Sequence, residues 1–331
     1  MKDTQAIIRQ LTQAGGFPGG VLATLVAVEG SSYRRPGARL WISASGATWG
    51  SISGGCLEED VLGRARRVAA TGQAEVAVYD TTSENDLVWG VGLGCHGVVR
   101  VLLEPVTARP PWASTVAENL RRGTGSDLAV VWQAPSGAPL GTRLPGADDG
   151  VAPGVFHQTL PAPTALAIFG AGHDVPPLVR LAKELGWQVT VADPRPAAAA
   201  TERFPEADAV VCAPADELVG RVAPRHDALA VVMTHHYVHD RPLLRDLLSR
   251  PLAYVGLLGP KLRAERILLE LEAAGLVATP EMRSRLHAPI GLDLGSDGPE
   301  EVALSILAEM RAVLAGRDAR PLRERNKPIH D

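Results

Sequence analysis

From residue 165 onward the chain repeats one pattern: a short apolar run of strand length, then a longer amphipathic stretch. The runs are ALAIFG (165–170), WQVTVAD (187–193), ADAVVCA (207–213), DALAVVMTH (227–235) and AYVGLLG (253–259). Between them lie AGHDVPPLVRLAKEL, PLLRDLLSR and KLRAERILLELEAAG, with apolar residues at helical spacing. Strands separated by crossover-length helices do not pair as hairpins. They build a parallel sheet covered on both faces, so the fold class is α/β with a doubly wound C-terminal domain. A last helix is expected from Gly298-Pro299, where proline suits the first position and Glu300 and Glu301 suit the positive end of the dipole. Its apolar face would be Val302, Leu304, Ile306, Leu307, Met310, Val313 and Leu314.

The first hundred residues predict a smaller α/β domain. Residues 4–13 suggest a short helix, 21–28 (VLATLVAV) a buried strand, and EGSSYRRPGARLWIS a strand, a turn at Pro36-Gly37 and a returning strand. CLEEDVLGRARRVAATG reads as a helix with Leu57, Val61, Ala65 and Val68 on one face and Gly72 as its stop. AEVAVYD and VVRVLLEPV are further strands. Residues 106–163 turn rich in Pro, Gly and Ala around one strand, DLAVVWQA (127–134). The expected division is therefore 1–105 for the first domain, 106–163 for an extension and linker, 164–316 for the second domain and 317–331 for a charged tail.

The formal charge is −4 with acids and bases interspersed, and no basic stripe marks a nucleic-acid partner. The longest apolar runs are strand-sized, which argues against a membrane span. The N-terminus MKDTQAIIRQL lacks the apolar core of a signal peptide, so a cytoplasmic location is expected. Three cysteines, Cys56, Cys95 and Cys212, make neither a disulfide framework nor a CxxC-type zinc site. Cys212, within VVCAP, is expected in the core.

Candidate ligand-binding residues cluster at strand ends. ALAIFG runs into Gly170-Ala171-Gly172-His173-Asp174, placed between strand and helix as a dinucleotide-type turn must be. Gly170 permits the tight turn, and Gly172 lets backbone approach a phosphate. The usual third glycine is replaced by Val175 or Pro176. Asp193 ends the second strand, where a carboxylate binds ribose hydroxyls; Arg195, two residues on, could instead take a phosphate. The bland alternative is a domain that keeps this shape and binds nothing. Thr234-His235-His236 and the glycines Gly256 and Gly259 end later strands and should face the same crevice. His235, His236, His239 and Asp240 invite a metal reading, but adjacent residues at a strand end should diverge, so no metal is assigned. His235 reads as a polar crevice residue that donates to a ligand or exchanges protons with it.

The stretch G-S-I-S-G-G-C-L-E-E-D (50–60) sets Gly54 and Gly55 before Cys56 in the first turn of a helix. Unpaired amides and the helix dipole favour thiolate there, while Glu58 and Glu59 oppose it. Gly92-Leu93-Gly94-Cys95-His96-Gly97 is a second glycine-rich turn bearing a thiol. The alternative for both is a small residue packing where nothing larger fits.

These segments together resemble the XdhC/CoxI family, accessory proteins for molybdenum hydroxylases such as xanthine dehydrogenase. The resemblance rests on EGSSYRRPGARLWIS, GSISGGCLEEDV, GLGCHGVVRVLLEP, FGAGHDVPPLVRLAKELGWQVTVADPR, VVMTHHYVHDRPLLRDLL, AYVGLLGPKLR and HAPIGLDLGSDGPEEVALSILAEM, in family order. It implies a small N-terminal α/β domain, a Rossmann-like C-terminal domain and a homodimer. It also implies an accessory role: binding molybdenum cofactor (molybdopterin), protecting it during sulfuration, with a cysteine desulfurase as further partner, and delivering it to the apo-hydroxylase. By motif the matching positions are Gly54, Gly55, Cys56, Gly94, Cys95, Gly170, Gly172, Asp193, Arg195, His235 and Gly259. The turn that commonly reads GCGG reads GCHG here, so His96 replaces a glycine. Two other readings remain: an NAD-dependent oxidoreductase using the GAGHD turn, with NAD or another nucleotide as cofactor, and a sulfur-transfer enzyme using Cys56 or Cys95.

Overall fold

The computed structural model describes residues 1–80, 97–134, 139–146 and 153–326. The chain divides into two compact units, Met1–Pro163 and Thr164–Asp331. The first contains α1 (Lys2–Thr12), β1 (Gly20–Gly30), β2 (Arg39–Ser43), β3 (Thr48–Gly50), α2 (Glu58–Thr71), β4 (Glu75–Asp80), β5 (Gly97–Val106), α3 (Pro111–Arg122), β6 (Ser126–Val131), β7 (Gly141–Arg143) and β8 (Val155–Leu160).

Five of these strands form an antiparallel sheet in the order β3-β2-β1-β5-β4, and three form a second sheet in the order β7-β6-β8. β1 is apolar along both faces because both are covered. Val21, Ala23 and Leu25 pack with Val61, Ala65 and Val68 of α2. Leu22, on the other face, packs with Ile7, Ile8 and Leu11 of α1 and with Trp112, Ala113 and Val116 of α3. Gly72 caps α2 in the left-handed conformation at φ 68°, as its position after the last apolar residue predicts. Residues 106–163, expected as an extension and linker, instead hold α3 and the second sheet. Pro111 at the start of α3 and the buried Trp112 anchor that segment to α1. A polar contact also ties the two sheets together: Arg39 on β2, itself buried, donates to Gln158 Oε1 on β8 at 2.5 Å.

The second unit contains β9 (Ala165–Phe169), α4 (Val175–Glu184), β10 (Gln188–Asp193), β11 (Ala209–Cys212), α5 (Leu218–Val222), β12 (Leu229–Val232), α6 (Tyr237–Leu248), β13 (Tyr254–Leu257), α7 (Lys261–Ala273), α8 (Pro280–Arg285), β14 (Leu286–His287) and α9 (Pro299–Leu314). Its sheet is parallel throughout, in the order β11-β10-β9-β12-β13-β14. This is the doubly wound architecture that the alternating pattern predicts. Leu166 and Ile168 of β9 face a core shared with α4 and α9, while Ala167 and Phe169 face one shared with α5, α6 and α7.

Within α9, Ile306, Leu307 and Met310 are buried as expected, but Leu304 and Leu314 are exposed. Glu309 on the same helix accepts from Tyr254 Oη, from the Gly291 amide at 2.9 Å and from His287 Nδ1 at 3.2 Å, joining α9 to the β13–β14 edge. Cys212 is also exposed, contrary to the expectation of a core position. β11 is the edge strand, so the apolar neighbours of this thiol do not enclose it. No helix among the described residues is long and apolar enough to cross a membrane.

Candidate functional site

β9 and β12 are adjacent, but the chain leaves β9 in one direction and returns to β12 on the other side. Ligands of such sheets bind outside the carboxyl ends of the strands at this switch point. Gly170 ends β9 there at φ 129°, and a Cβ on it would lie 2.3 Å from Met233 O at the end of β12. Only glycine allows both the backbone angle and the close approach of the two strand ends.

Two amides of the turn are occupied from within. Gly170 N donates to Ala192 O at 2.7 Å, and Ala171 N donates to Asp193 Oδ2 at 2.8 Å. The Ala171 carbonyl accepts from Arg203 Nη1 at 2.9 Å. The Gly172 and His173 amides have no partner among the described residues, and the His173 side chain is exposed.

Asp193 is fully enclosed. Its Oδ1 accepts from Arg195 N and Nε at 2.8 and 2.9 Å, and its Oδ2 from Arg195 Nη2 at 2.8 Å as well as from Ala171 N. Burial acts to raise its pKa, but the Arg195 hydrogen bonds and charge outweigh it and hold the carboxyl below the ordinary range. In this structure Asp193 braces the turn and neutralises Arg195, and it does not present an oxygen to a ribose. Arg195 is half exposed on its outer side.

His235 follows β12 in the left-handed region, at φ 57°. Its Nε2 lies 2.8 Å from Asp174 Oδ2, the residue that caps α4, and its side chain is 57% exposed. The other histidines of the stretch go elsewhere: His236 and His239 meet with rings tilted by 31° and centroids 4.5 Å apart. Asp240 is buried, accepts from Thr234 Oγ1 at 2.5 Å and pairs with Arg263 of α7. That carboxylate therefore pins the Thr234 turn to α7. Gly256 does not face the crevice. The space of its missing side chain is filled by Ile290, whose Cδ1 would lie 2.2 Å from a Cβ there. Gly259, at φ 133°, turns the chain from β13 toward α7.

In the first unit, the loop of residues 51–57 is organised by Glu58. Its carboxylate accepts from Ser51 Oγ and Ser53 N, both at 3.0 Å, from Leu57 N at 3.2 Å, and from the Ser53 hydroxyl. Burial acts to raise the Glu58 pKa, and the hydrogen bonds from Ser53 and Ser51 turn the balance downward. Gly55 takes φ 109°, Gly54 lies under the exposed Tyr33 ring, and Cys56 is exposed. Cys56 stands one residue before the Leu57 cap, not within the first helical turn as the sequence suggests. Gly94, Cys95 and His96 lie outside the described residues.

Sequence reasoning missed Asp174 as a partner of His235, Arg203 on the turn, and Glu58 as the organiser of the Cys56 loop. Asp174 is inside the quoted GAGHD motif, but nothing in its spacing signals a partner 61 residues away.

Residues 166–310 match the XdhC Rossmann domain, and residues 19–80 match the XdhC and CoxI family. A Bacillus subtilis (strain 168) protein, named as a probable subunit of xanthine dehydrogenase, is 35% identical over 318 residues, spanning 88% of this chain and 92% of its own. The chain belongs to the XdhC and CoxI family. A second relative is an Escherichia coli (strain K12) protein named molybdenum cofactor insertion chaperone PaoD. It is 24% identical, with 89% of this XdhC-family chain and 83% of PaoD aligned. The crystal structure of a Bacillus halodurans protein described as a xanthine dehydrogenase superposes with a TM-score of 0.80 at 32% identity, covering 98% of this chain and 99% of that one.

Proposed function

We propose that this XdhC-family chain is an accessory protein that binds molybdenum cofactor as cargo, supports its sulfuration and delivers it to a molybdenum hydroxylase of the xanthine dehydrogenase kind. The observation that carries the reading is the match over 92% of a relative named as part of a xanthine dehydrogenase. The relation to a protein named as a cofactor insertion chaperone supports it. A pterin phosphate would meet the Gly172 and His173 amides, the outer edge of Arg195 and the His235 imidazole. Cys56 is exposed on a loop that Glu58 holds in place, which suits a thiol that meets a sulfur donor. Cys95 is its proposed counterpart. A cysteine desulfurase as sulfur source, a homodimeric state and a cytoplasmic location belong to the same proposal.

The nicotinamide reading relied on Asp193 as the acceptor for ribose hydroxyls. The occupied and enclosed carboxylate weighs against it. The deciding measurement is mass spectrometry of the small molecule that copurifies from a molybdenum-replete host, followed by mixing with apo-hydroxylase. Recovery of a pterin and restored hydroxylase activity are expected. Recovery of NAD, with no activation, would overturn the proposal.

A further inference from the structure

Tyr33 is 68% exposed, yet its ring is fixed from beneath. A Cβ on Gly54 would lie 3.5 Å from ring atoms Cγ and Cδ1 and 3.7 Å from Cδ2, so one face of the ring lies flat over that glycine. The other face is turned to solvent, and the hydroxyl makes no hydrogen bond to a described residue. The chain on both sides of Tyr33 is anchored. Gly30 pairs with Gly97 of β5, where a Cβ would lie 2.4 Å from Ser31 O. Arg34 Nη2 donates to Asp3 Oδ2 of α1 at 2.7 Å. The floor is anchored as well, because Glu58 gathers the Ser51, Ser53 and Leu57 donors of the loop that holds Gly54. All these residues belong to the first unit, and exposed Cys56 follows Gly54 and Gly55 on the same loop.

A rigid aromatic face held open to water is best covered by a partner that is itself flat. Stacked aromatic systems match over the whole face, whereas an aliphatic chain covers only part of it. The anchoring leaves little side-chain or loop ordering to oppose binding. Arg35 is exposed and pairs with no described carboxylate, so positive charge near the platform favours a ring system that carries an anionic group.

We infer that Tyr33 stacks the planar pterin ring of the cargo over the loop that bears Cys56, an assignment that rests on the proposed cofactor-binding role and names the residue that grips the ring. The ring is recognised through its face, so phenylalanine serves in place of tyrosine and a residue without a ring does not. A bicyclic ring on Tyr33 overhangs the Cys56 loop and slows the approach of reagents to the thiol.

The test is fluorescence titration of the full chain with pterin-6-carboxylate, a flat fluorescent anion, at one neutral pH. Binding to wild type should quench the probe. Tyr33→Phe should bind as tightly, and Tyr33→Ala about tenfold more weakly, the loss of one stacking contact. Brief iodoacetamide treatment followed by peptide mass spectrometry gives the second readout, with exposed Cys212 as reference. The probe should slow Cys56 alkylation in wild type and Tyr33→Phe but not in Tyr33→Ala. Cyclohexanecarboxylate, an anion of the same charge without a flat ring, should not slow it. Failure of wild type to bind the probe, equal binding by Tyr33→Ala, an equal loss in Tyr33→Phe, an unprotected Cys56 or equal protection by cyclohexanecarboxylate overturns the inference. The wild-type and Tyr33→Phe results stand even if Tyr33→Ala fails to fold. Molybdenum cofactor copurifying with Tyr33→Ala as fully as with wild type would sink this inference and leave the proposed function. Probe stacking on Tyr33 in a chain that neither carries a pterin nor activates the hydroxylase would do the reverse.

Discussion

Asp193 and Arg195 form a two-pronged ion pair, Nε to Oδ1 at 2.9 Å and Nη2 to Oδ2 at 2.8 Å, with the carboxylate enclosed and the guanidinium half exposed. The pair turns what would be a ribose-reading acid into a brace for the glycine turn. Replacing Asp193 by Ala removes the acceptor of Ala171 N as well, and should cost about 2 kcal/mol of stability in chemical unfolding. The folded pKa of Asp193 is depressed, so its contribution is present above the unfolded carboxylate range and lost as pH falls through the folded value. The acid limb of the stability profile should therefore shrink in the variant. An unchanged limb would mean that the pair is not stabilising.

Gly170→Ala places a Cβ 2.3 Å from a backbone carbonyl at a φ of 129°. No rotamer relieves a backbone clash. A loss of about 3 kcal/mol or failure to fold is expected, read by thermal unfolding. Gly55→Ala, also at positive φ but with nothing within 4 Å, should cost less than Gly170→Ala and serves as the comparison.

Glu58→Gln keeps the size of the side chain and removes the charge that receives the Ser51, Ser53 and Leu57 donors. A loss of about 1.5 kcal/mol is expected, together with faster alkylation of Cys56 as its loop loosens. Peptide mass spectrometry after brief iodoacetamide treatment at one neutral pH reads this, with exposed Cys212 as the internal reference. The Glu58 pKa is depressed, so the loop contacts are present above the ordinary glutamate range and fade as pH drops through the folded value, which amide hydrogen exchange of residues 51–57 should follow. Equal Cys56 labelling in wild type and variant would show that Glu58 does not hold the loop.

Glu309→Ala leaves Tyr254 Oη, the Gly291 amide and His287 without their shared acceptor. A cost of roughly 3 kcal/mol is expected in denaturant unfolding. Tyr254→Phe, which removes a single donor, should cost about 1 kcal/mol. A smaller effect for Glu309→Ala than for Tyr254→Phe would contradict the network.

Much of the architecture is legible in the sequence because it depends on local periodicity. The five strands β9 to β13, the Gly72 stop of α2 and the Gly298-Pro299 start of α9 all follow from patterns within a few residues of each other, while the two-residue β14 is too short to show one. The segment 106–163 hides its elements because its many prolines and glycines mask short strands of three to six residues. Cys212 defeats the same reasoning because an edge strand and a central strand share one apolar pattern. Gly256 resembles a crevice glycine by position alone, and the Ile290 that fills its space is 34 residues away in the chain, the difference of the two residue numbers.

The sequence by itself determined the strands and helices with clear periodicity, their alternation from residue 165 onward and the family, because hydrophobic spacing and turn residues act along the chain. Only the tertiary structure decided that Asp193 faces Ala171 and Arg195, that Asp174 meets His235, and that Glu58 folds back on its own loop. The first two of these depend on which strands become neighbours, and the third on where a flexible carboxylate finds its donors. Strand order and side-chain partnership are settled by packing in three dimensions, where residues 22 or 61 positions apart are brought within hydrogen-bonding distance.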